Sequence, residues 1–496
     1  MRARWIGVGS LALLVGIALV LVRGEPVLGS DQGVYLSVAA RILDGDHLYS
    51  ETIENKDPLF FYSYAAALAI GGWRGPFLLD GIWFAVAAVS FALLLRELRA
   101  PRAAVVAGFF VYPLALSSGW YLTGQTMLGA LAIAPLAPWL WLRGRFAGSG
   151  AVVAVVMLLK LNLGAVAAAP IAAFVVFGAP DCGRRRPLAL AAAGLSAVLA
   201  AAAVLLAVRG ELRPYLGLVE YNVWYSSALV EDTGFVGRAH QHIDTVVGYF
   251  EISGKWQVPA VVLVLVAFAV AAVYLMWRPE SWGRLLAAGS AITLVLATGS
   301  LALFAYWFHH LQLLAYPAAL IAATMISAVA VSLGNRAGAV VATACVLFAL
   351  WSSVKNEDRL ELSPGWTAAG GSAGSDALEQ ARTRFYSGDE RVTYMAFGSN
   401  SENAHAVFIS PRFDLVCRWF HLYPYSPDDQ LEETIDCARS ERPELILVTL
   451  GFFDSREGAS WRAFVSSTRR LLDSRYEHVV TVHPGFQVWK WKEPAA

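Results

Sequence analysis

The chain has 496 residues, of which 57% are hydrophobic and 15% charged, with 38 basic and 38 acidic side chains balancing to zero. Such a composition excludes a water-soluble globule with an ordinary polar exterior. The charge balance argues against a nucleic-acid partner and leaves a membrane protein as the class to test.

The first apolar run, Trp5 to Val22, approaches the roughly 20 residues that cross a hydrocarbon core. Arg2 and Arg4 precede it as in a signal peptide. The run is nevertheless longer than a signal peptide's apolar region and no small-x-small cleavage site follows it, so it is expected to be a retained span. The stretch "DQGVYLSVAARILDGDHLY" comes next, with Val34, Tyr35, Val38, Ile42 and Leu43 at helical spacing and Asp31, Arg41 and Asp44 on other faces. That pattern predicts an amphipathic helix lying along the membrane surface. Asp31 has two readings there: a helix N-cap, or a general base at the bilayer boundary. "ENKDP" then places Lys56 before a proline that opens the next apolar helix. The lysine could snorkel to a lipid headgroup, or hold the phosphate of a lipid-linked substrate. Residues 59–72 form an apolar run too short for a comfortable span, and an interfacial or re-entrant helix is expected.

Further apolar stretches lie near 76–95, 103–120, 126–142, 150–159, 163–178, 188–208, 257–277, 285–304, 311–332 and 337–354, which with the first gives about eleven spans. "RELRAPR", "RGR", "GRRRP", "RPESWGR" and Arg336 all fall on the side of the amino-terminal "MRAR" if these alternate. Cytoplasmic loops collect Lys and Arg, so that side is the cytoplasm. Residues 23–75, 117–126, 209–257, the surroundings of His309 and His310, and the carboxy-terminal tail are then outside. Lys160 and Asn162 interrupt an apolar stretch near the outer end of two short helices; ionisable groups at that depth suggest a cavity, with snorkelling as the other account of Lys160. His309 and His310 read either as interfacial histidines or as contacts to phosphate or sugar. No third ligand at a recognisable spacing supports zinc. Arg213, His240 and His242 belong to the long outer loop.

Of the acidic residues, 17 precede Lys355 and 21 follow it, so the tail has soluble composition. The expected organisation is a membrane domain over 1–354, a linker over 355–380 containing "SPGWTAAGGSAGS", and an extracytoplasmic domain over 381–496. Within the last, "RVTYMAFG", "PELILVTL" and "HVVTVHPGFQVWKW" read as strands, and "DDQLEETIDCARSE" and "ASWRAFVSSTRRLLDS" as helices, giving a small α/β unit. Cys417 and Cys437 form a disulfide if this unit faces an oxidising compartment, or remain two buried thiols.

The succession "DQGVYLSVAARILDGDHLY", "NKDPLFFYSYAAAL", "VVMLLKLNLGAVAAAPI" and "YWFHHLQLLAYPAALIAA" resembles the polyprenyl-phosphate-dependent glycosyltransferases of the GT-C fold. The branch it most resembles is that of the dolichyl-phosphate-mannose protein mannosyltransferases and aminoarabinose lipid A transferases. The resemblance implies a polytopic α-helical fold with a terminal outer α/β domain. It also implies inverting transfer of a sugar from a polyprenyl-phosphate donor to a cell-envelope glycan, lipid or protein on the outer face of a bacterial plasma membrane. Carried over residue by residue, it implies Asp31 as catalytic base and Lys56 as a holder of the donor phosphate. Arg213, His309 and His310 are further candidates for the phosphate. Tyr35, Glu54, Gln125, Lys160, Asn162, His240 and His242 are candidates for the substrate pocket. Several relatives carry a second acid where this chain has Gln125, which neither acts as a base nor adds charge to a metal site; metal-independent transfer is expected. A lipid or polysaccharide transporter is the rival class, but the polar residues gather on one face and no two halves of the chain match. A non-catalytic assembly protein is the third reading.

Overall fold

The computed structural model describes residues 2–22, 31–54, 56–117, 126–177, 185–231, 257–303, 312–355, 373–388, 390–398, 412–418, 422, 426–454, 458–482 and 485–492. Its amino-terminal body is helical: α1 (Arg2–Val22), α2 (Asp31–Asp44), α3 (Pro58–Gly71), α4 (Gly75–Glu97), α5 (Arg102–Ser117), α6 (Thr126–Ile133), α7 (Leu136–Leu142), α8 (Phe146–Leu159), α9 (Leu163–Phe177), α10 (Arg185–Val208), α11 (Leu212–Glu231), α12 (Gln257–Met276), α13 (Ser281–Leu303), α14 (Ala315–Leu333) and α15 (Asn335–Lys355).

Among the described residues, four helical segments are both long and apolar enough to cross a membrane: Gly75–Glu97, Arg185–Val208, Ser281–Leu301 and Gln312–Leu333. Shorter apolar helices pack between them. Large apolar side chains face outward, as at Val208 and Leu263, which are 83% and 69% exposed. So much bare apolar surface is stable in lipid and not in water, so the body is membrane-embedded. Hydrophobic attraction between helices is weak in lipid, and close packing takes its place. A Cβ on Gly150 would stand 1.8 Å from the Ala191 carbonyl oxygen, and one on Gly194 would stand 1.9 Å from that of Ala147. Reciprocal glycines therefore let α8 and α10 touch backbone to backbone.

Two elements depart from expectation. α2 does not lie on a surface: Val34, Tyr35, Leu36, Ser37, Val38 and Ala39 are all buried, and Leu43 is exposed. Over residues 33–39 its amphipathic spacing is overridden by packing around the whole helix, with Tyr35 edge-on to Phe60 and Phe61 of α3. The expected linker is also shorter, because α16 (Ala373–Phe385) begins inside it and buries Ala377, Leu378 and Ala381 in the core of the carboxy-terminal domain.

That domain contains β1 (Val392–Phe397), β2 (Phe413–Leu415), α17 (Asp428–Glu441), β3 (Leu445–Thr449), α18 (Ala459–Arg475), β4 (Tyr476–Val482) and β5 (Phe486–Trp491). The sheet order is β2-β1-β3-β5-β4, with β2, β1 and β3 parallel and β5 antiparallel to both β3 and β4. Period-two alternation splits the strands between two cores. Val392, Tyr394, Leu445 and Leu447 face α16, while Met395, Phe397, Ile446 and Val448 face α17 and α18. The expected strands and helices are present; β2, three residues long, was not legible in the sequence. Cys417 and Cys437 are disulfide-bonded across a sequence separation of 20, which decides between the two readings of that pair.

Candidate functional site

The first connection after α2 builds the site. α2 stops at Gly45, whose φ of +111° suits glycine. The chain then turns through Tyr49, a non-glycine residue at φ +69°. A left-handed tyrosine costs about 1–2 kcal/mol, and several contacts hold it. Its N–H donates to the Thr52 carbonyl at 2.8 Å, its hydroxyl donates to the Lys56 carbonyl at 2.7 Å, and its ring lies 5.3 Å from that of Tyr215.

The held carbonyl places Lys56. Its Nζ sits 3.0 Å from Glu54 Oε1 and 5.5 Å from the centre of the Tyr35 ring. Glu54 is buried, and the ammonium supplies its counter-charge. Asp57 follows, just before Pro58 at the start of α3. It occupies the N-cap position, yet its side chain makes no cap hydrogen bond. Instead Oδ2 accepts the Leu161 N–H and Oδ1 accepts the Tyr215 hydroxyl, both at 2.9 Å. Leu161 lies in the break between α8 and α9, where Lys160 adopts an extended conformation that ends α8. Burial pushes the Asp57 carboxyl above the ordinary carboxylate range, against the Lys160 ammonium, which pulls it back. The Tyr215 hydroxyl is held above its usual value, first by burial and then by Asp57. Among the described residues the buried Oδ1 of Asn162 has no hydrogen-bond partner.

A second carboxylate fastens the same loop from the α10–α11 corner. Glu211 is fully buried. Its Oε1 accepts the Leu48 N–H at 3.1 Å and Arg209 Nε at 2.8 Å; its Oε2 accepts the Tyr62 hydroxyl. His47 Nδ1 lies 3.9 Å from Oε1. One loop is thus bound to α3, to the α8–α9 break and to α11, elements brought together from more than 150 residues of sequence.

Of the residues singled out in the sequence, Tyr35, Glu54 and Lys56 stand together, and Lys160 joins them through Asp57; Asn162 lies in the same α8–α9 break as Leu161 but makes no hydrogen bond with them among the described residues. Arg213 is exposed on α11, without a hydrogen bond or ion pair among the described residues. Asp31 begins α2, but its side chain lies outside the described residues, as do Gln125, His240, His242, His309 and His310. Sequence reasoning passed over Asp57, Glu211, Tyr49, Tyr62, Arg209 and Tyr215. Two had a signal: an acid immediately before a helix-opening proline, and a lone acid in "RGEL" between two apolar helices. Among the described residues no three His, Cys, Asp or Glu side chains converge as metal ligands.

No family model matches the sequence, and no curated protein is significantly similar to it.

Proposed function

We propose that the protein is an integral membrane glycosyltransferase that moves a sugar from a polyprenyl-phosphate donor onto a cell-envelope glycan, lipid or protein. The observation that carries this reading is the grouping of Tyr35, Glu54 and Lys56, with Lys160 acting on the adjoining Asp57, at the loop that follows α2. Two ammonium groups acting on the Asp57 carboxylate, one of them over an aromatic ring, suit a phosphate with a sugar attached. An entering phosphate would share Lys56 with Glu54.

In the reaction Asp31 takes the proton of the acceptor hydroxyl and the freed oxygen pair attacks the anomeric carbon. The bond from that carbon to the phosphate oxygen breaks, polyprenyl phosphate leaves with the electron pair, and the carbon inverts. Lys56 and Lys160 stabilise the charge gathering on the departing phosphate. The accompanying topology has about eleven spans, a cytoplasmic amino terminus and the α/β domain outside a bacterial plasma membrane. The Cys417–Cys437 disulfide supports that placement, because such bonds persist in oxidising compartments.

The test is to incubate the full chain in lipid nanodiscs with a panel of labelled polyprenyl-phosphate sugars and candidate envelope acceptors. Transfer by the native protein and its loss in Asp31→Asn is the expected result. Equal turnover by the two removes Asp31 as base; no turnover with any donor removes the reading.

A further inference from the structure

The α/β domain docks on the helical body at the loop that carries the site. Arg41, in the last turn of α2, is paired with Asp46, donates from Nη1 to the Cys417 carbonyl at 3.3 Å and from Nη2 to the Glu51 carbonyl at 3.2 Å. Arg418, just beyond β2, returns the contact by donating from Nη1 to the Ser50 carbonyl at 3.3 Å, and its own carbonyl accepts the Ile53 N–H at 2.9 Å. Asp46 also accepts the Thr52 hydroxyl at 2.9 Å. Each of two arginines thus clasps the backbone of the other's domain, Arg41 at Cys417 and Arg418 at Ser50.

The outer half of the clasp is itself braced. The Arg418 guanidinium forks onto the Glu433 carboxylate, and the neighbouring Cys417 is disulfide-bonded to Cys437. Glu433 and Cys437 are four residues apart and share one face of α17. The strap from β2 to Arg418 is therefore pinned twice to a helix of its own domain, while Leu415 packs against the core of the helical body. On the inner side Ile53 is followed directly by Glu54, and Glu54 by the segment that holds Lys56 and Asp57. Glu211 fixes the loop at Leu48, but among the described residues no bond from the helical body reaches Ile53.

We propose that the outer domain positions the Glu54–Asp57 segment through Arg41 and Arg418, so that this domain completes the site instead of hanging beside it. Arg41 and Arg418 are positioning residues; neither touches the groups that would meet substrate. The docking stands apart from the assignment of glycosyl transfer, and only its consequence for donor binding rests on that reading.

The test uses the full chain in nanodiscs of defined phospholipid, without donor, followed by hydrogen exchange resolved to single amides. Arg41→Met and Arg418→Met are compared with the native chain and with Arg439→Gln, which breaks only an exposed pair with Asp436. Loss of one hydrogen bond from a charged donor corresponds to about ten-fold faster exchange. That acceleration is expected at amides 50–57 in both Met variants, with α4, β3 and the Arg439→Gln chain unchanged. Unaltered exchange at 50–57 in both Met variants overturns the docking. Should a variant also lose protection in β3, the native chain decides: an Ile53 amide as slow as those of β3 upholds the docking, and one at the open-loop rate refutes it. In variants that keep β3 protected, KM for a polyprenyl-phosphate sugar that the native chain turns over should rise several-fold with kcat little changed. An unmoved KM removes the positioning role and leaves the docking intact. If the native chain turns over no donor, only the glycosyl-transfer reading falls.

Discussion

Replacing Glu211 separates two ways in which a buried carboxylate can hold a loop. In Glu211→Ala the Leu48 N–H loses its acceptor at a fully buried position. An orphaned buried amide costs about 1–3 kcal/mol, and the emptied space adds about 1 kcal/mol. Arg209 is 41% exposed and can turn to water, so its lost ion pair adds little. The expected total is about 3 kcal/mol. In Glu211→Gln the retained oxygen still accepts from Leu48, and the Tyr62 hydroxyl can reverse to accept from the new amide; only charge assistance is lost, about 1 kcal/mol. At a factor of ten per about 1.4 kcal/mol, exchange at the Leu48 amide should quicken by roughly 100-fold in the alanine variant and about five-fold in the glutamine variant. Hydrogen exchange of the full chain in nanodiscs reads both numbers. If glutamine proves as costly as alanine, charge and not amide satisfaction holds the loop. If neither substitution moves Leu48, Glu211 is not its anchor.

Asp57 should give stability a distinctive pH dependence. Its folded-state value is raised above 3.8, so the native chain binds that proton more tightly than the unfolded chain. Stability contributed by the group is therefore present below 3.8 and falls as pH rises through the folded value; thermal midpoints of Asp57→Asn should lack that decline, and parallel curves would refute the assignment. Gly194→Val should separate α8 from α10 and cost about 2–3 kcal/mol, whereas Gly9→Ala, which meets nothing within 4 Å, should be silent; equal thermal midpoints would contradict the close crossing. Cys437→Ser should lower the unfolding free energy of the carboxy-terminal domain by about 3 kcal/mol, the chain-entropy value for a loop of this length. Alkylation of the native chain without reductant should leave Cys417 and Cys437 unlabelled, and labelling of both would exclude the bond.

The apolar runs, the helix break at Lys160, and most strands and helices of the carboxy-terminal domain were legible because each depends on neighbours in sequence. Run length decides what lipid accepts, and periods of 3.6 and 2 decide which local backbone buries its apolar side. Lys160 and Asn162 were visible for the same reason, as polar groups interrupting an apolar stretch, and Lys56 by its place just before the proline that opens an apolar helix. Nothing local shows that α2 is packed all round over residues 33–39, that Asp57 turns from its own helix to bond Leu161 and Tyr215, or that Glu211 reaches Leu48. Those facts depend on chain segments 100 residues and more apart arriving side by side. The sheet order β2-β1-β3-β5-β4 and the short β2 were decided in the same way, by pairing across the domain. The Arg41–Arg418 clasp belongs with them: the sequence supplied two arginines and a run of backbone carbonyls, and only the packing of one domain on the other set donors against acceptors.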